Sequence, residues 1–146
     1  LGCWAGILPR IKKDHDLSNT TLGGILVAAV FGAILALPTV TMILEKYGSR
    51  FSLIAGGVIS PLLFPVIGVN SHISIFIIAV FLLGFGSGWF DISMNAQAVL
   101  CEKVSGKATL GLFHCLYAIG GLSGALFGGG LLDAGANPLQ VTFLGS

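Results

Sequence analysis

The sequence predicts an all-α membrane protein, and three observations carry that prediction. Four long apolar segments, 22–44, 51–69, 73–100 and 110–132, follow one another with only short polar connections. Each is close to the roughly 20 residues that cross a hydrocarbon core about 30 Å thick at about 1.5 Å per residue. Composition agrees: 55% of the 146 residues are hydrophobic and 9% charged, against about 25% charged in soluble domains. A soluble chain of this length cannot bury so much apolar surface. Glycine supplies 22 residues, many at helical spacing, and small residues at that spacing let membrane helices approach closely.

The elements follow in order. Residues 1–8 are expected to be the tail of a first span, and 9–16 the first polar connection. Ser18 is placed to cap the second span, with Leu17 as its hydrophobic staple. The second span holds Pro38; the third holds Pro61 and Pro65. Proline removes an amide donor and crowds the preceding turn, so both spans are expected to kink. Residues 45–50 form a charged turn, 70–72 an uncharged one, 102–107 a second charged one, and 133–138 the last. An apolar run then opens what is expected to be a sixth span. The whole, 1–146, is expected to be a single partial transmembrane bundle: the end of span one, spans two to five, and the start of span six.

Asp91 stands out within this scheme. It lies nine residues before Leu100, about 13 Å into the membrane at helical rise and so near the midplane. An ionisable group there is costly and is a functional candidate by default. Gly84, Gly88, Asp91 and Asn95 are spaced four, three and four, which puts them on one helical stripe. Gln97 points elsewhere. In the next span His114, Tyr117, Gly121 and Gly128 share a stripe by the same arithmetic. Asn and His in membrane helices also serve simply as interhelical hydrogen-bonders. Desolvation disfavours a charged carboxylate, and water restores it. A midplane acid can therefore take up and release one proton as access alternates. Asn95 and His114 are suited to hydrogen-bond a polar solute.

Other chemistry is poorly supported. The sequence has no HExxH, GxSxG or Walker pattern, so no enzyme is indicated. Cys3, Cys101 and Cys115 lack metal-ligand spacing, and no metal or cofactor is implied. Seven Lys and Arg against six Asp and Glu give a net charge of +1, with no basic face for nucleic acid. Asn19-Thr20-Thr21 is a sequon too close to a span to be expected in use. Arg10, Lys12 and Lys13 lie on one side of the membrane. Lys46, Arg50, Lys103 and Lys107 lie on the other, so the charge rule alone leaves orientation open.

The turn after span two resembles the signature G-x-L-x-D-R-x-G-R-R of the major facilitator superfamily. Here Glu45 stands for Asp and Lys46 for Arg, Gly48 and Arg50 match, and Thr41 and Ser49 depart. Span five resembles that superfamily's antiporter motif G-x8-G-x3-G-P-x2-G-G through Gly111, Gly120, Gly124, Gly128 and Gly129, with Ala125 for Pro. Asp91-x-x-x-Asn95 after the run of glycines resembles span four of the fucose/glucose proton-symporter branch. Gly2-x-Trp4, Pro9–Lys12 and Phe113-His114 are similar to uncharacterised bacterial inner-membrane relatives of it.

The resemblance implies a partial six-helix bundle of three-helix inverted repeats, the N-terminal half of a transporter whose C-terminal half is expected to be missing here. It puts turns 45–50 and 102–107 in the cytoplasm. It implies proton-coupled symport of a small polar solute, with a sugar among the candidates, or alternatively proton-coupled efflux of a drug or metabolite. By carry-over Asp91 is the proton site. Asn95 is a solute contact, and His114, Tyr117 and Trp4 are the further residues expected to contact solute. Glu45, Lys46, Gly48 and Arg50 form a conformational latch, and Glu102, at the cytoplasmic end of a neighbouring span, is expected to pair with Arg50 in it. The expected partners are the solute, the proton and the lipid bilayer, and the expected location is the bacterial inner membrane.

Overall fold

The computed structural model describes residues 2–69, 73–137, 140–141 and 144, with the side chains of all of these except 2–5, 7, 60 and 65–69. Four helices run in order: α1 (Gly2–Asp14), α2 (Asn19–Val69), α3 (Ile73–Ser105) and α4 (Leu110–Asp133). No strand occurs among the described residues. The spans Asn19–Phe64, Ile73–Ser105 and Leu110–Asp133 are long and apolar enough to cross a membrane.

Helix α2 contains the second and third predicted spans. Its backbone is helical except at Gly48, where φ is 80° and ψ 167°. Only glycine adopts that positive φ without a Cβ penalty. The contacts show that the chain reverses there. Gly84 and Gly88 of α3 meet Ala29 and Ala33 in the same chain direction, whereas Ser49 and Ser52 meet Gln97 and Ser93 in the opposite one. Residues 19–47 and 49–69 are thus two antiparallel limbs packed on α3. The expected proline kinks take a different form: residues 38, 61 and 65 keep helical dihedrals, and the one break falls at Gly48. Prolines within membrane helices are tolerated where neighbouring groups re-satisfy the carbonyl they free.

The first connection is shorter than expected. Helix α1 runs through Pro9 to Asp14. The Arg10 Nε–Asp14 pair at 3.0 Å supports its last turn, and Ile11 is buried in the core. Asp16, at φ 48°, then ends the helix in the left-handed region. Ser18 caps α2 as expected, its Oγ accepting from Thr21 N at 3.0 Å. Leu17 packs on the core. That core gathers Ile11, Ile25, Phe64, Phe76, Val80 and Val141 at one end of the bundle. The turn expected at 70–72 lies outside the described residues.

Close helix approaches rest on small residues. A Cβ at Gly84 would strike the Ala29 carbonyl, and one at Gly32 the Phe81 carbonyl. A Cβ at Gly6 of α1 would lie 2.6 Å from the Ala125 carbonyl oxygen and 3.0 Å from Gly129 N of α4. Gly120, by contrast, faces open space. Helix α4 ends on Ala134 and Gly135, the latter at φ 92°, with Ala136 N donating to Leu131 O at 2.9 Å. Asn137 and Gln140 then form a reciprocal capping box: Gln140 N donates to Asn137 Oδ1 at 2.8 Å, and Asn137 N to Gln140 Oε1 at 3.0 Å. Residues 140, 141 and 144, where the sixth span is expected, are helical. Outward apolar side chains such as Phe31, Leu35, Leu116 and Leu126 are half-exposed or more, as a lipid-facing surface requires.

Candidate functional site

The stripe of Gly84, Gly88, Asp91 and Asn95 changes neighbour along its length. Its glycine end packs on α2 through Ala29 and Ala33. Its polar end turns to α4. There His114 Nε2 donates to Asn95 Oδ1 at 2.9 Å, so the other ring nitrogen stays available. One helical turn away the Tyr117 ring stacks on Phe90, centroids 6.3 Å apart at 25°. Asp91 is half-buried and lies near the Tyr117 phenol. Among the described residues it has no hydrogen bond or ion pair. Tyr117 is 39% exposed and His114 is exposed. The four residues named from the sequence on these two spans therefore meet on one open α3–α4 face. Trp4 lies on α1, its side chain outside the described residues.

The opposite side of α3 carries polar residues that sequence reasoning did not single out. Ser52 and Ser93, both 0% exposed, share a hydrogen bond of 2.7 Å. Trp89 Nε1 donates to Ser52 O and Oγ, each at 3.1 Å. Ser49 Oγ donates to Gln97 Oε1 at 2.7 Å, which is where Gln97 points. Trp89, Ser93 and Gln97 at steps of four were a signal for this ladder, as were Ser49 and Ser52 at a step of three.

The proposed latch residues are partly dispersed. Gly48 marks the reversal, and Glu45, Lys46 and Arg50 are exposed around it, with Lys46 Nζ 5.1 Å from the Tyr47 ring centroid. Glu102 is engaged elsewhere: its Oε1 accepts from Thr109 N at 2.6 Å and Leu110 N at 2.8 Å. No ion pair joins it to Arg50 among the described residues. A cavity of about 310 Å³ opens beside this turn, lined by Leu44, Ser49, Ala96, Val99, Leu100 and Lys103. It does not include Asp91. No cluster of potential metal ligands occurs among the described residues.

Long apolar spans and glycine-mediated helix contacts define a helical integral membrane protein. The chain belongs to the Major Facilitator Superfamily, which it matches over residues 2–145. It is 33% identical over 139 residues to an uncharacterised MFS-type transporter of Yersinia pestis, covering 95% of this chain and 36% of that protein. It is 27% identical over 146 residues to an uncharacterised transporter of Sinorhizobium fredii, covering 99% and 38%. It is 28% identical over 132 residues to the multidrug efflux pump SdrM of Staphylococcus aureus, covering 86% and 28%. The chain thus spans little more than a third of the length of the first two relatives. No solved structure matches it.

Proposed function

We propose that this chain is a single partial bundle holding the proton site of a secondary active transporter of the bacterial inner membrane. Asp91 carries the proton, Asn95 and His114 with Tyr117 and Trp4 contact a small polar solute, and the two move together in symport. The observation that supports this best is Asp91 itself. It is a carboxylic acid within a span, lacking a hydrogen-bond or salt-bridge partner among the described residues, beside an amide, an imidazole and a phenol. An acid in that setting is held for exchange rather than for packing. The solute is a neutral one such as a sugar, because Asn, His and Tyr supply both donors and acceptors. Alternating access then exposes Asp91 to each side in turn. The remainder of the transporter supplies the facing half of the cavity.

The test uses the full-length transporter in proteoliposomes with an imposed pH gradient. Asp91→Asn abolishes accumulation of a radiolabelled hexose. Unchanged accumulation in that variant would falsify the proton role. A second reading, proton-coupled efflux, is favoured by the likeness to a multidrug efflux pump. It predicts that protons enter as a fluorescent organic cation leaves, the reverse of the coupled inward flux of a symporter.

A further inference from the structure

We infer that Glu102 is a positioning residue: its carboxylate clamps the start of α4 to the end of α3 and so sets the register in which His114 meets Asn95. The inference rests on the reading that the α3–α4 face is the working site. The geometry is specific. The Glu102 carbonyl accepts from Gly106 N at 2.9 Å and closes α3. Gly106, at φ 67°, then reverses the chain in a conformation that favours glycine. The side chain of the same Glu102 reaches across the loop, where Oε1 accepts from both Thr109 N and Leu110 N.

These are amides that α4 cannot satisfy internally, because the first turn of a helix has no preceding carbonyls. Thr109 stands at the N-cap position but makes no side-chain cap there. Its hydroxyl donates instead to Ala98 O at 3.3 Å. The cap of α4 is thus supplied from another helix. A carboxylate at a helix N-terminus is favoured by the helix dipole as well as by its hydrogen bonds.

The clamp lies close to the site in both directions. Asn95 is seven residues before Glu102, about 10 Å along α3, and His114 is four after Leu110, about 6 Å along α4. A slip of α4 by one residue would turn His114 by about 100° and carry it off Asn95. This differs from a latch, in which Glu102 acts by its charge on Arg50. The clamp needs an acceptor at the reach of a Glu side chain. The latch needs a negative charge.

Two conservative variants separate those needs. In the full-length protein, with native cysteines replaced by serine, Asn95→Cys and His114→Cys report proximity through a short bis-thiol cross-linker in membranes. E102Q keeps the acceptor without the charge, and cross-linking is expected to stay within about twofold of the parent. E102D keeps the charge but withdraws the acceptor by one methylene, and cross-linking is expected to fall about fivefold, as for loss of one hydrogen bond. R50A is expected to change nothing. The inference is overturned by the reverse order, with E102D retained and E102Q and R50A both impaired. It is also overturned by equal yields in E102Q and E102D, or by a parent that does not cross-link. The readout needs no transport. Cross-linking in the expected order, together with hexose accumulation insensitive to D91N, would therefore reject the transport reading and leave the clamp standing.

Discussion

The two polar sides of α3 are built from similar residue types and behave differently. Toward α2, Trp89, Ser93 and Gln97 meet Ser49 and Ser52 in a ladder whose central serines are 0% exposed and bonded on more than one side. Toward α4, Asn95 and His114 share one hydrogen bond, Tyr117 is 39% exposed, and Asp91 has no bonded partner among the described residues. A buried polar group that is fully satisfied adds rigidity and specifies a neighbour. One left with spare donors and acceptors at an open face is prepared for something else to bind. What separates glue from site is thus the remaining hydrogen-bond capacity rather than polarity.

The largest effect that could break this contrast comes from the glycines that seat the α2–α3 contact. Gly84 packs against the Ala29 backbone, which cannot rotate aside as a side chain would. Gly84→Leu should destabilise the full-length protein by about 3 kcal/mol or more, seen as a sharp drop in thermal midpoint in detergent. A midpoint near that of the parent would mean that α2 and α3 do not pack in this register. Next in size is the ladder. Trp89→Phe keeps most of the ring but deletes the donor to Ser52, and should cost about 1–1.5 kcal/mol, toward the upper end for interhelical hydrogen bonds in membranes. A loss as small as that of a surface substitution would make the ladder incidental. Smaller again is the bond across the open face. A double-mutant cycle of Asn95→Ala and His114→Ala should give a coupling of about 0.6 kcal/mol. A coupling as large as that of the ladder would move this pair to the structural side of the comparison.

Much of the fold was legible because apolar length and turn chemistry are local. The spans, Ser18 as a cap and the charged turn around Gly48 follow from neighbours in sequence. So do the two stripes, Asp91 with Asn95 and His114 with Tyr117, though not their meeting. What escaped depends on which helix lies alongside. Spacing puts Gly84 and Asn95 on one stripe but does not say that the stripe leaves α2 for α4 partway along. Gln97 could be assigned a direction and not a partner. Glu102 looked like a charge available for Arg50, because nothing in a residue string shows that two backbone amides of the next helix lack acceptors. Pro9 looked like a helix end, yet the Arg10–Asp14 pair and the burial of Ile11 carry α1 past it.

The smallest expected effect on stability is the most informative. Asp91→Asn exchanges a carboxyl group for an amide of nearly equal volume. If Asp91 were part of the packing, as Ser52 and Ser93 are, the change would break bonds and lower the thermal midpoint. But its carboxyl is unbonded among the described residues and already half withdrawn from water. Replacing an unsatisfied ionisable group by a neutral one removes a desolvation cost and breaks nothing. The midpoint should therefore stay within about 0.5 kcal/mol of the parent in free-energy terms, or rise, as expected for a substitution that disturbs no packing. Function should fall in the same variant, because a carboxamide has no titratable group to take up and release a net proton near neutral pH. A site maintained at some expense of stability has that signature: activity is lost while the fold is indifferent or improved. A drop in midpoint comparable to that of Trp89→Phe would place Asp91 with the ladder and leave the open face without its acid.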